Sequence, residues 1–128
     1  MVDLTTVMYV DDEPDIRAVV EMSLEMVAGL KVAVCASGQE ALDRVAGVAP
    51  QLVLLDVMMP GLDGPGTLAR LRERPELSHI PVVFLTAKVQ PSEVARLRDL
   101  GAADVIAKPF DPMTLGDQVK AVWKRIQG

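Results

Sequence analysis

Short hydrophobic runs alternate along the chain with longer segments in which hydrophobic residues recur at every third or fourth position. The short runs predict five strands, over residues 6–10, 31–35, 52–55, 82–85 and 104–107. The first, third and fourth runs are almost entirely hydrophobic, which is typical of strands covered on both faces in a parallel sheet. The second begins with Lys31, whose ammonium group needs water, so this strand is predicted to lie near a sheet edge.

Helical spacing is clearest near the two ends of the chain. One predicted stripe consists of Ile16, Val19, Val20, Leu24 and Val27, and the other of Leu115, Val119, Val122, Trp123 and Ile126. Ser37 and Glu40 have the spacing of a capping box for a second helix, and Gly29 and Gly47 are predicted helix ends. Weaker patterns predict helices over residues 67–74 and 92–100. The resulting (βα)₅ order predicts an α/β fold with a parallel sheet and helices on both faces.

Length, charge, cysteine count and hydropathy limit the kinds of protein that this chain can be. A chain of 128 residues can bury a core as one domain, here taken as residues 1–128. The formal charge of −5 disfavours unaided binding to nucleic acid or to an anionic membrane surface. A single cysteine excludes an internal disulfide, and no apolar stretch approaches the ~20 residues of a membrane span. These features favour a cytoplasmic protein without membrane insertion.

Polar residues stand where the predicted strands end. Asp11 and Asp12 follow the first strand, Asp56 follows the third, Thr86 follows the fourth and Lys108 follows the fifth. In an open parallel sheet, ligands bind outside the carboxyl ends of the strands. These five side chains are therefore the candidate site.

The chemistry of this set favours phosphoryl transfer. Three crowded carboxylates resist joint ionisation, and Mg²⁺, which prefers oxygen ligands, relieves that repulsion. An aspartate can serve as a phosphoryl acceptor, while Thr86 and Lys108 can contact the phosphoryl oxygens. Taken singly, Asp12 could cap a helix, Thr86 could satisfy a backbone group, and Lys108 could be a surface lysine. Those readings do not explain why all of these residues close predicted strands.

Four motifs in order carry a family resemblance over residues 7–126. They are Val10-Asp11-Asp12-Glu13, residues 54–64 (LLDVMMPGLDG), Leu85-Thr86-Ala87, and Lys108-Pro109-Phe110. With these motifs, the chain resembles the receiver domains of two-component response regulators, such as the chemotaxis response regulator. The resemblance implies a flavodoxin-like fold with strand order 2-1-3-4-5.

The resemblance also assigns roles at the site. It implies that Asp56 is the phosphoacceptor, that Asp12 binds Mg²⁺ directly, and that Asp11 acts mainly through water. It adds the backbone carbonyl of Met58 as a metal ligand, phosphoryl contacts from Thr86 and Lys108, and a cis Lys108–Pro109 bond.

The family's partners follow from the same resemblance. It implies phosphorylation by a histidine kinase or histidine phosphotransfer protein, slow autodephosphorylation, and output to a downstream protein through the fourth helix, fifth strand and fifth helix. Such a domain is a signalling switch and not an enzyme with a separate substrate. Val105 stands where the family usually has Tyr or Phe, which leaves the output coupling open. A homodimer and a place within a larger regulator are also left open.

Two other functions remain alternatives. A phosphohydrolase of the haloacid dehalogenase type also uses an aspartate and Mg²⁺, but such enzymes usually carry a second aspartate two residues after the nucleophile, where this chain has Met58. A binding scaffold that does not depend on phosphorylation would not need the full set of polar residues.

Overall fold

A computed structural model describes residues 2–128 as a five-stranded parallel sheet in the order 2-1-3-4-5. The strands are β1 (Thr6–Val10), β2 (Lys31–Cys35), β3 (Leu52–Asp56), β4 (Val82–Thr86) and β5 (Asp104–Ala107). The helices are α1 (Pro14–Met22), which continues into a π-helical segment (Ser23–Val27), α2 (Gly38–Val48), α3 (Gly64–Arg72), α4 (Pro91–Asp99) and α5 (Pro112–Gln127). The predicted fold class and strand order are confirmed.

The sheet separates two hydrophobic cores. On one face, β1 contributes Met8 and Val10 to a core shared with α2, α3 and α4. On the other face, β1 contributes Val7 and Tyr9 to a core shared with α1, the π-helical segment and α5. Strands β3 and β4 are buried along their whole length, as their continuous hydrophobic runs predict. Strand β2 is at an edge and Lys31 is exposed, which confirms the prediction from its charge.

The first predicted helical stripe is only partly buried. Val20 and Leu24 are fully buried, whereas Val19 and Val27 are 44% and 53% exposed. In the π-helical segment the Ala28 N–H donates to the Ser23 carbonyl, so this turn holds one residue more than an α-helical turn. The extra residue rotates Val27 off the buried face, which periodicity of 3.6 residues could not predict.

Helix α2 begins as predicted but ends later. The Ser37 Oγ accepts the Glu40 N–H at 3.0 Å, while the Glu40 carboxylate accepts the N–H of Ala36 at 2.8 Å. The prediction that Gly47 ends the helix was wrong, because α2 continues to Val48 and Ala49 adopts a left-handed conformation with φ of 50°. Pro50 follows, and a residue before proline is disfavoured in the right-handed helical region.

Two helical glycines should respond in opposite ways to an added methyl group. A Cβ at Gly116 in α5 would overlap the Cβ of Ala28, where α5 crosses the end of the π-helical segment, whereas a Cβ at Gly47 would meet nothing within 4 Å. We expect Gly116→Ala to lower the free energy of unfolding by about 1–3 kcal/mol through overpacking. Gly47→Ala should raise it by up to about 1 kcal/mol through helix propensity. Urea denaturation measures both, and a Gly116→Ala variant as stable as the wild type would contradict this packing.

Candidate functional site

The carboxyl ends of β1 and β3 bring three acidic side chains together. These strands are neighbours, with Val10 paired to Leu55, so Asp11 and Asp12 lie beside Asp56. Carboxylate oxygens of Asp11, Asp12 and Asp56 lie within 4.8 Å of one another. Asp11 and Asp56 are buried, and Asp12 is half-buried. The structure thus places the three predicted aspartates in one pocket.

Lys108 supplies a positive charge to this pocket. Its Nζ lies 3.2 Å from Asp11 Oδ2 and 3.2 Å from Asp56 Oδ2. Strand β5 pairs with β4, and the Lys108 N–H donates to the Thr86 carbonyl at 2.9 Å. The Lys108–Pro109 bond is cis, as the family resemblance implied.

Thr86 ends the strand next to β3, where Asp56 pairs with Leu85, so it lies at the same edge of the sheet. It is the last residue of β4 and is buried, and its Oγ1 accepts the backbone N–H of Lys88 at 3.0 Å. A threonine hydroxyl has one proton that it can also donate. Met58 follows Asp56 by two residues, and its side chain is exposed. The group that the family resemblance implies as a metal ligand is its backbone carbonyl.

Asp11 is held by donors that the sequence analysis did not identify. Its Oδ1 accepts the Glu13 N–H at 3.0 Å, and its Oδ2 accepts the Tyr9 hydroxyl at 2.7 Å. The Asp11 carbonyl accepts the Arg17 guanidinium at 2.7 Å. The signal for Tyr9 was its spacing, because residues two apart in a strand point to the same face. Arg17 carried no comparable signal, since its contact depends on how α1 docks.

Burial and the neighbouring charges shift three pKa values in the pocket. Burial raises the pKa of Asp56; the Lys108 ammonium opposes this shift and the Asp11 carboxylate adds to it. Burial alone would lower the pKa of Lys108, but the Asp56 and Asp11 carboxylates outweigh it and raise that pKa. Burial and the hydrogen bond to Asp11 raise the pKa of Tyr9 above its ordinary value, so the hydroxyl keeps its proton and stays a donor.

The donor set fits a hard divalent cation. Three carboxylates face one ammonium group, so the pocket has an excess of negative charge. All of the clustered ligand atoms are oxygens, which Mg²⁺ prefers over nitrogen and sulfur. Asp12 is the most accessible of the three aspartates, and it therefore offers an approach from solvent.

A strip of apolar surface borders the pocket. It begins at Lys108, Pro109 and Phe110 and passes Val19 and Pro112. From there it continues into a groove lined by exposed side chains, among them Met22, Met26, Val27 and Met113.

The fold and the pocket define a class of protein: a doubly wound α/β domain with an acidic, lysine-containing site at the carboxyl ends of its strands. The profile of the response regulator receiver domain family matches residues 7–120. The chain belongs to this family. Among residues 2–128, no helix is both long enough and apolar enough to cross a membrane.

Individual relatives match the chain over nearly its whole length. The chain is 38% identical over 120 residues to the probable transcriptional regulator ycf27 of Porphyridium aerugineum, covering 94% of this chain and 48% of that protein. It is 35% identical over 125 residues to the transcriptional regulatory protein CseB of Streptomyces coelicolor, covering 98% and 52% respectively. The chain therefore spans about half the length of these curated relatives.

A solved structure shows the same fold. The chemotaxis protein CheY4 of Vibrio cholerae superimposes with a TM-score of 0.85 at 29% identity, covering 93% of this chain and 98% of that one.

The raised pKa of Asp56 predicts a dependence of stability on pH. The folded state binds the Asp56 proton more tightly than the unfolded state does, so ionisation of this group costs stability as the pH rises above its unfolded pKa of about 3.9. That cost persists at neutral pH. We expect Asp56→Asn to raise the Tm of metal-free protein at pH 7 by a few degrees, and to lose this advantage near pH 3.

Calorimetry in EDTA between pH 3 and pH 7 measures this effect. Asp117→Asn, which changes an exposed aspartate on α5, is the matched control and should leave the Tm nearly unchanged. An Asp56→Asn variant less stable than the wild type at pH 7 would show that ionised Asp56 stabilises the fold.

Proposed function

We propose that this chain is a phosphorylation-dependent signalling switch in which Asp56 accepts a phosphoryl group. The observation that carries the proposal is the convergence of Asp11, Asp12, Asp56 and Lys108 in one pocket at the carboxyl ends of the strands. Membership of the receiver domain family supports it. A helix-capping role for the aspartates would not account for a lysine that bridges two of them.

In the proposed reaction, a carboxylate oxygen of Asp56 attacks the phosphorus of the donor. The new O–P bond forms as the bond from phosphorus to the leaving group breaks, and the leaving group takes the bonding electrons. Lys108 already contacts the Asp56 carboxylate, and its charge attracts the incoming phosphoryl oxygens. Thr86, at the end of the next strand, donates its hydroxyl to one of these oxygens.

Asp11, Asp12, Asp56 and the backbone carbonyl of Met58 are the proposed Mg²⁺ ligands. Asp12 and Asp56 would bind the ion directly, whereas Asp11, whose carboxylate accepts three hydrogen bonds, would act mainly through water. Bound Mg²⁺ would offset the repulsion between the anionic nucleophile and the anionic donor.

The proposed phosphodonor is a histidine kinase or a histidine phosphotransfer protein. Water then slowly hydrolyses the acyl phosphate, so the domain acts on its own phosphorylation and on no separate substrate. We place this chemistry in the cytoplasm, with output to a downstream protein and without direct contact with nucleic acid.

The proposed output surface is formed by α4, β5 and α5. Asp104, the first residue of β5, binds Arg98 of α4 at 2.8 Å and Arg125 of α5 at 2.5 Å. These ion pairs link both helices to the strand that precedes Lys108. The usual aromatic side chain is replaced by Val105, which is half-buried against the core, so we propose that α4 and α5 respond through these links and not through ring rotation.

A small phosphodonor tests the proposed acceptor. Incubation of the wild-type chain with acetyl phosphate and Mg²⁺ should add one phosphate by mass spectrometry, and EDTA should prevent this. Asp56→Asn should abolish the label, because the amide is a poor nucleophile, while Asp117→Asn should be labelled like the wild type. Full labelling of Asp56→Asn would rule out the acceptor, and many turnovers of a phosphoester would favour a phosphohydrolase instead.

The apolar groove beside the pocket supports docking of the kinase or phosphotransfer protein. A phosphohistidine must reach Asp56, and the groove is continuous with the apolar surface that contains Lys108. Met22 is 61% exposed there, and a charged residue in its place would have to be desolvated on docking.

The test uses the histidine kinase that phosphorylates the wild-type chain fastest in a profiling screen. We expect Met22→Lys to slow phosphotransfer from this kinase by about tenfold or more. Labelling by acetyl phosphate should not change. Leu100→Lys, at an exposed hydrophobic residue after α4, is the matched control and should behave like the wild type with both donors. Equal rates for Met22→Lys and Leu100→Lys would argue against docking at this groove.

A further inference from the structure

The buried hydroxyl of Tyr9 contacts the acidic pocket from the core. Its side chain is 0% exposed and lies in the core between the sheet, α1 and α5. A buried tyrosine hydroxyl requires a hydrogen-bond partner, and here the partner is Asp11 Oδ2 at 2.7 Å. A phenylalanine would fill the same hydrophobic space, so the hydroxyl adds a contact with the site and not core volume.

Three donors fix the orientation of the Asp11 carboxylate. The Glu13 N–H binds Oδ1, while the Tyr9 hydroxyl and the Lys108 ammonium share Oδ2. The backbone N–H and the hydroxyl are held by β1 and the loop after it. Lys108 is the exception, because its flexible side chain also contacts Asp56.

Tyr9 and Lys108 both contact Asp11 Oδ2, but only Lys108 also contacts Asp56. Any cation or phosphoryl group that binds at Asp56 changes the charge that Lys108 faces, so the contact between Lys108 and Asp11 can weaken. Among residues 2–128, the Tyr9 hydroxyl donates to Asp11 alone, from a ring that is fully buried in the core. It therefore keeps Asp11 oriented when Lys108 moves.

We infer that Tyr9 is a positioning residue for the acidic pocket, which holds the Asp11 carboxylate in the orientation that favours binding of Mg²⁺. The inference rests on the proposed function, since it takes Mg²⁺ as the ion of this pocket. It adds a residue on the core side of the sheet to the set at the strand ends.

Calorimetric titration of the unphosphorylated chain with Mg²⁺ tests this role through affinity alone. Tyr9→Phe removes only the hydroxyl, and we expect it to raise the Kd for Mg²⁺ by up to about tenfold, because a less restrained Asp11 side chain must then be ordered when the ion binds. In an Asp11→Asn background, where the positioned charge is absent, Tyr9→Phe should change the Kd much less. This double-mutant cycle separates positioning of Asp11 from general damage to the fold.

Val119→Ala is the matched structural control. Val119 is a fully buried residue of the same core as Tyr9, so its truncation should lower the Tm and leave the Kd for Mg²⁺ unchanged. An unchanged Kd in Tyr9→Phe, or an equal change in both backgrounds, would overturn the inference and leave the proposed function intact. Failure of the wild-type chain to bind Mg²⁺ would overturn both.

Discussion

The charge imbalance at the carboxyl ends of β1 and β3 is the constraint on which the candidate site depends. Asp11, Asp12 and Asp56 cannot separate, because adjacent strands fix their backbones, and Lys108 can neutralise only part of their charge. The fold therefore concentrates negative charge where water is partly excluded. We expect this arrangement to cost stability in the metal-free protein, and it favours the proposed binding of Mg²⁺ at the same place.

The hydrophobic cores make this constraint possible. Strand β3 is buried along its whole length and ends in Asp56, so packing on both faces delivers that carboxylate to the pocket. On the face of α1 and α5, close approach of α5 to the π-helical segment depends on Gly116. Ion pairs from Asp104 to Arg98 and Arg125 then link α4 and α5 to β5. Core packing and site geometry are thus connected, and Tyr9 takes part in both: its ring packs in the core and its hydroxyl contacts Asp11.

Much of the fold could be predicted because its signals are local. The bounds of β2 and β5 were predicted to the residue, and α2 begins with the predicted Ser37 cap. The errors also have local causes. Val27 leaves the buried stripe because a π-helical turn holds an extra residue, and Gly47 does not end α2 because Pro50 sets the stop two residues later. Periodicity assumes a regular helix, so it cannot detect the π-helical turn. The Gly47 prediction rested on glycine as a helix end and did not weigh the local signal of Pro50.

The amino-acid order alone determined which residues close the strands, because hydrophobic runs and the polar residues that end them are neighbours in the chain. It therefore identified the aspartates, Thr86 and Lys108 as candidates. Only the tertiary structure decided how they meet: that Lys108 bridges Asp11 and Asp56, that Arg17 binds the Asp11 carbonyl, and that the Tyr9 hydroxyl holds the Asp11 carboxylate. A hydrogen bond or ion pair requires contact within about 3 Å, and such distances between separate elements are set by sheet order and helix docking.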